Sequence, residues 1–196
     1  MKVEFWFEFA STYSYLSAMR LPAIAKRRGI EIAWCPFLLG PIFASQGLSS
    51  SPFNIYPIKG QYMWRDVERR ANGHGLGFRQ PEPFPQNGLL AARVATAAPP
   101  GAAQVRFCQA VFEAEFALGC DISDRQTIET CARDAGLAPD VMDRATSDDV
   151  KQRLRQTTEY AQKRGIFGAP SFTVGDELFW GDDRLEEALD WAAAHG

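Results

Sequence analysis

Strand patterning is confined to the two ends of this 196-residue chain, and helical periodicity fills nearly everything between them. At the start, Val3 to Phe9 alternates. Val3, Phe5, Phe7 and Phe9 fall on one face, with Glu4, Trp6 and Glu8 on the other, which predicts a strand with one buried face. After Ser11 an apolar stripe of Tyr13, Leu16, Met19 and Leu21 runs up to Lys26-Arg27-Arg28-Gly29. Basic residues in a last turn followed by Gly are helix stop signals. Ile30 to Phe37 is short and apolar-rich, so the opening reads as strand, helix, strand: a right-handed parallel crossover. At the far end, Ser171–Val174 and Glu177–Trp180 flank a Gly175-Asp176 turn and predict a hairpin. A closing helix from Asp183 to Ala194 carries Leu185, Ala188, Leu189 and Ala192 on one face.

Between these ends the chemistry changes. Gly40 to Pro57 contains Gly40, Pro41, Gly47, four serines, Pro52 and Pro57, the composition of a loop. Helical segments follow near 59–73, 87–98, 102–118, 123–136 and 140–164, punctuated by Pro, Gly and Asp. No fixed-period repeat is present. The two ends can share one sheet only if the helical block is an insertion. That order is the thioredoxin pattern, so the predicted class is α/β: a thioredoxin-like sheet with a large all-helical insertion. Residues 1–40 and 165–196 form a discontinuous thioredoxin-like domain, and 41–164 the inserted helical domain. A doubly wound sheet could begin in the same way, but too few strands follow to build one.

A net charge of -3 carries no broad electrostatic footprint for nucleic acid, although a local Lys/Arg cluster can still meet an anionic ligand. Glu4 and Glu8 interrupt any secretory apolar core, and no run of about 18 apolar residues predicts a membrane helix. Cys35, Cys108, Cys120 and Cys131 are scattered without metal-ligand spacing, which fits free thiols in a reducing, cytoplasmic setting and no metal site.

In thioredoxin-like folds the working group lies at the start of the first helix. Here that stretch is Phe9-Ala10-Ser11-Thr12-Tyr13-Ser14-Tyr15-Leu16, with Ser11 and Ser14 where redox members carry paired cysteines. Disulfide exchange needs a thiolate, so it is excluded at this position. Ser11 is then either a plain helix cap or a functional hydroxyl. Gly165-Ile166-Phe167-Gly168-Ala169-Pro170-Ser171 holds the second signal. Pro170 either opens a strand or forms a cis bond facing the first helix, leaving the Ala169 backbone to pair with an extended ligand. In Trp180-Gly181-Asp182-Asp183-Arg184 the acids are ordinary helix caps or meet a ligand's ammonium group. Lys59, in Pro57-Ile58-Lys59-Gly60-Gln61-Tyr62-Met63, opposes its own helix dipole, so it is either solvated or faces a bound carboxylate. His74 lies in a Gly-rich turn after a helix, the wrong context for a nucleotide loop, and Cys35 reads as core.

In this order and spacing, the four segments resemble the 2-hydroxychromene-2-carboxylate isomerase family, with kappa-class glutathione transferases and the DsbA-like group as relatives. The resemblance runs from Phe5 to Leu185. It rests most on Phe7 to Tyr15, Phe167-Gly168-Ala169-Pro170 and Trp180 to Arg184, with Ser51-Pro52-Phe53-Asn54 and Lys59 to Met63 as further matches. It implies glutathione as cofactor. Ser11 would bond its sulfur, Ala169 beside Pro170 its cysteinyl backbone, and Asp182 with Asp183 its γ-glutamyl end. Lys59 and Asn54 would lie near its glycine carboxylate or the substrate, although kappa-class enzymes carry Asn close to where Ser49–Ser51 stand here.

The implied activity is glutathione-dependent cis-trans isomerisation of 2-hydroxychromene-2-carboxylate or a similar aromatic-catabolic carboxylate, by reversible thiolate addition. A kappa-like transferase or peroxidase, or a non-catalytic thioredoxin-like module gripping peptides beside Pro170, are the alternatives. No nucleic-acid or membrane partner is expected. A homodimer is, because family resemblance implies one and aromatics make up 12% of the chain. Phe43, Phe53, Ile55 and Tyr56 in the 42–58 loop are the predicted contributors.

Overall fold

The computed structural model describes residues 2–195. Strand β1 (Lys2–Phe7) is parallel to β2 (Glu31–Pro36), with Lys2 opposite Glu31 and Phe7 opposite Pro36. On its other side β1 runs antiparallel to β3 (Ser171–Val174), which pairs with β4 (Glu177–Trp180). The order β2-β1-β3-β4 joins the two ends of the chain in one sheet, as the thioredoxin pattern requires.

Val3, Phe5 and Phe7 enter the main core, where Phe5 stacks on Phe172 at 5.4 Å and Phe7 meets Phe112 at 5.8 Å. The opposite face departs from the simple alternation. Trp6 is buried with Phe37, Ile42, Ala161 and Ile166 in a second cluster, so both faces of the sheet are covered. The indole survives burial because its Nε1 donates to Thr173 Oγ1 at 3.0 Å, and that hydroxyl donates in turn to Glu4 Oε2 at 2.6 Å.

Helix α1 (Thr12–Arg28) starts at the Ser11 cap and ends at Gly29, whose φ of 65° is the left-handed conformation a side chain disfavours. Pro22 sits inside this helix. It has no N–H for the Ala18 carbonyl one turn back. Gln109 Nε2 donates to that carbonyl at 3.1 Å, and so satisfies what the proline leaves bare. Gln109→Leu should therefore lose about 1–3 kcal/mol in urea unfolding, the cost of stranding a buried acceptor. A change within about 0.3 kcal/mol would show that the contact is dispensable.

The segment expected as loop holds two short helices, α2 (Leu39–Ser45) and α3 (Pro52–Ile55). Pro and Ser disguised α3 as a loop, yet they start it: Ser51 accepts from the Phe53 amide and Pro52 occupies the first turn. Then come α4 (Pro57–Gly73), α5 (Leu89–Ala97) and α6 (Ala102–Glu113), which continues into a π-helical turn at Ala114–Leu118. After α7 (Arg125–Asp134), the stretch read as one helix from 140 to 164 divides into α8 (Val141–Arg144) and α9 (Asp148–Lys163). Ser147 makes the division by capping α9 through the Val150 amide. A 3-10 turn (Asp182–Arg184) leads into α10 (Leu185–His195). Helices α2 to α9 all lie in chain order between β2 and β3. Phe107 and Phe112 of α6 pack on Phe9, which carries the chain out of β1 toward α1.

Candidate active site

Strand β1 stops at Phe7, two residues short of its alternating pattern, because the chain turns at Phe9-Ala10 to deliver Ser11 to the start of α1. The Ser11 amide donates to the Glu8 carbonyl at 3.0 Å, which fixes the turn. Ser11 Oγ accepts from the Ser14 amide at 3.2 Å and donates to the Ala169 carbonyl at 3.0 Å. The hydroxyl is thus a helix cap and also a partner of the Ala169-Pro170 segment, two readings the sequence left as alternatives. The Ala169-Pro170 bond is cis.

Neighbouring bonds hold that segment. Ser171 Oγ donates to the Gly168 carbonyl at 2.9 Å, and the Gly181 amide to the Pro170 carbonyl at 2.9 Å. Gly168 lies directly under the Trp180 indole, where any Cβ would collide with the ring. Trp180 in turn packs on Phe167 at 4.8 Å, and both rings stay partly exposed.

Asp182 and Asp183 part company. Asp182 is buried, its Oδ1 accepting from Ser17 Oγ at 2.7 Å and Arg20 Nη2 at 2.6 Å, and its Oδ2 from Arg70 Nη2. Both of its oxygens serve the protein, so its carboxylate is not presented to a ligand in the way the family resemblance implied. Asp183 is exposed, and its nearest cation is Arg184 Nε at 3.8 Å. The buried hub ties α1, α4 and the 3-10 turn together, and it sets the place of Asp183 one residue on.

On α4, Thr12 Oγ1 donates to Met63 Sδ at 3.3 Å and Tyr13 Oη donates to Asp66 Oδ2 at 2.9 Å. Lys59 lies one helical turn before Met63, on the same side of α4. It is exposed, its Nζ stands 4.9 Å from the Tyr56 ring centroid, and it has no acidic partner among the described residues. Asn54 Nδ2 donates to the Phe84 carbonyl at 3.1 Å and to Ser50 Oγ at 3.3 Å. With Trp64, Gln80, Pro81, Glu82 and Phe84, Asn54 lines an open cleft of about 560 Å³. The Ser11 hydroxyl bond to the Ala169 carbonyl brings Ser11, Ala169 and Pro170 into one place. Phe37, just after β2, is core.

Three of the four cysteines are disfavoured as nucleophiles. Burial pushes the Cys35 thiol up to about 12 and the Cys131 thiol up to about 11, and raises Cys108 further. Burial likewise raises the Tyr15 phenol to about 12. No group of three or more His, Cys, Asp or Glu side chains suited to a metal occurs among the described residues. Among the described residues, no helix is long and apolar enough to cross a membrane. What remains at Ser11 is a partly exposed hydroxyl at the amino end of a 17-residue helix with no acid in its first turn. That arrangement favours an anion at the hydroxyl.

Comparison with known proteins gives a consistent result. Residues 2–190 match the model of the DSBA-like thioredoxin domain. A 2-hydroxychromene-2-carboxylate isomerase of Sphingobium xenophagum is 30% identical over 94% of this chain and 94% of its own. Glutathione S-transferase kappa 2 of Caenorhabditis elegans is 25% identical over 97% of this chain and 91% of its own. In fold, the structure of a 2-hydroxychromene-2-carboxylate isomerase superposes with a TM-score of 0.89 at 24% identity, over 100% of this chain and 95% of that one. On the extent of these matches and on the shared sheet and helical insertion, the chain belongs to the DSBA-like thioredoxin-domain family, among the relatives of 2-hydroxychromene-2-carboxylate isomerases.

Proposed function

We propose that this protein is a glutathione-dependent cis-trans isomerase acting on 2-hydroxychromene-2-carboxylate or a similar aromatic-catabolic carboxylate. The observation that carries the reading is the Ser11 hydroxyl held between the α1 amino end and the Ala169 carbonyl, where a redox cysteine would otherwise stand. Relatives named as isomerases support the reaction class, and a relative named as a glutathione transferase supports the cofactor.

When bound, glutathione supplies a thiolate that adds reversibly to an electron-poor double bond, lowering the barrier to rotation about it. The protein's task is to keep that sulfur ionised and placed. A hydroxyl donor at a helix amino end stabilises a thiolate and lowers a thiol pKa from its usual value of about 8.5. The Ser11 proton is spent on Ala169 in this structure. A ligand amide that pairs with the Ala169 carbonyl would release the hydroxyl to turn toward the sulfur. Asp183, exposed beside this segment, is the carboxylate left for the γ-glutamyl ammonium, with Asp182 fixing its position from beneath. Lys59 has no acidic partner of its own and would meet a carboxylate of the cofactor or the substrate. Asn54, which lines the cleft with Trp64, would lie near the cofactor's glycine carboxylate or the substrate.

Calorimetric titration with reduced glutathione tests the cofactor. Binding is expected in the micromolar to millimolar range. Asp183→Asn should weaken it about 2- to 5-fold, the worth of an exposed charge pair. No heat at about 10 mM glutathione would leave the peptide-binding module as the better reading.

The same reading includes a homodimer in a reducing compartment, where four unpaired cysteines are at home. Phe43, Phe53 and Ile55 are half-buried, while Tyr56, Ile58 and Tyr62 are 50%, 83% and 64% exposed at the start of α4. That apolar patch is the candidate interface. Light scattering should read twice the 21.8 kDa chain mass, and the single-chain mass would refute the dimer.

A further inference from the structure

One fully buried carboxyl takes no part in the function described above. Glu115 lies in the π-helical turn Ala114–Leu118 that continues α6, and such irregular turns often mark functional positions. The residue is 0% exposed, and neither carboxyl oxygen has a hydrogen-bond partner among the described residues. Ala114 and Phe116, its neighbours in sequence, belong to the main core. The charged groups that act on it are half-buried Glu8, just after β1, and exposed Asp121, just after the turn. Both are acidic, so no cation offsets a charge at this position.

The turn joins three parts of the chain. Phe116 stacks on Tyr15 of α1 with ring centroids 5.4 Å apart, and its carbonyl accepts the Arg79 amide at 2.6 Å. Tyr15 Oη donates to the Gly77 carbonyl at 2.6 Å, and the Cys120 amide closes the turn on the Ala114 carbonyl at 2.8 Å. A carboxylate buried with neither a donor nor a counter-ion is stable only once water reaches it. The closed turn and an ionised Glu115 therefore exclude each other.

We propose that the π-helical turn is a latch held shut by a proton: its packing against α1 and the 77–79 segment requires neutral Glu115, and loss of that proton opens it. Burial first, then the charges of Glu8 and Asp121, push this carboxyl well above its ordinary value of 4.5, in keeping with the geometry. In the unfolded chain the same group ionises near that ordinary value. The stability Glu115 contributes is thus complete below it and is lost as pH rises, for as long as only the folded chain holds the proton. Through that range this one proton raises the unfolding constant about tenfold per pH unit. The latch is independent of glutathione and of the chemistry at Ser11.

The test is urea unfolding of the wild type and Glu115→Gln between about pH 5.5 and 8.5. Glutamine keeps the shape without the charge, so the ratio of the two unfolding constants isolates the one proton. That ratio, wild type over variant, should rise about tenfold per pH unit and level only where native Glu115 ionises. Amide hydrogen exchange reads the latch itself. Protection of the Arg79 and Cys120 amides should fall with rising pH in the wild type and stay level in Glu115→Gln. Carbon-13 NMR of the wild type needs no variant, and its assigned Glu115 carboxyl should still be protonated at about pH 7. A ratio constant within about twofold across the range, wild-type protection that does not change with pH, or a Glu115 carboxyl ionised at about pH 7 would each overturn the proposal.

Discussion

Asp182→Ala is expected to destabilise the fold by about 3–5 kcal/mol, most of the 5–15 kcal/mol margin of a typical domain at the lower end of that range. The reason is geometric. The Asp182 carboxylate is 0% exposed and satisfies Ser17, Arg20 and Arg70 together, and the side chains of Arg20 and Arg70 are only 15% and 28% exposed. Removing the acid leaves two partly buried guanidinium groups facing each other without a counter-charge. Removing a partner from a buried pair costs far more than the pair itself contributes. Asp183→Ala, one residue away but exposed, should change stability by no more than about 0.5 kcal/mol. Urea unfolding followed by circular dichroism separates the two. Equal losses would mean that the hub does not anchor α1, α4 and the 3-10 turn as described.

Ser11→Ala should cut turnover about 10- to 100-fold, because one hydrogen bond to a developing charge is worth about 1.5–3 kcal/mol. The same substitution removes the α1 cap, which costs the fold about 1 kcal/mol. Activity and stability must therefore be measured on the same samples. A well-folded Ser11→Ala with full activity would reduce the hydroxyl to a cap. Loss of activity in a folded variant, with a smaller change in glutathione affinity, is the outcome a thiolate-stabilising serine predicts.

The fold was legible where periodicity is strong and chain order decides the topology. Alternation in Val3 to Phe7 and the Gly175-Asp176 hairpin marked strands at both ends, and only an insertion lets them meet. Trp6 was misplaced on a polar face because alternation alone cannot tell that a second layer, with Phe37 and Ile166, covers the sheet. The short helices α2 and α3 hid behind Ser, Pro and Gly, residues that start helices as readily as they form loops. At the site, the Ser11 to Pro170 contact could be anticipated because the fold brings the first helix against that proline. The role of Asp182 could not, since Arg20 and Arg70 stand 162 and 112 residues away in sequence. Glu115 was equally hidden: it read as a polar residue in a helix, and only the tertiary structure removes its water.

The most direct measurement is an assay of 2-hydroxychromene-2-carboxylate with the purified protein, with and without reduced glutathione, following the substrate spectrum and the thiol content together. The account predicts interconversion only when glutathione is present, with all of the thiol recovered at equilibrium. Equal interconversion without any thiol, or none in its presence, would contradict it.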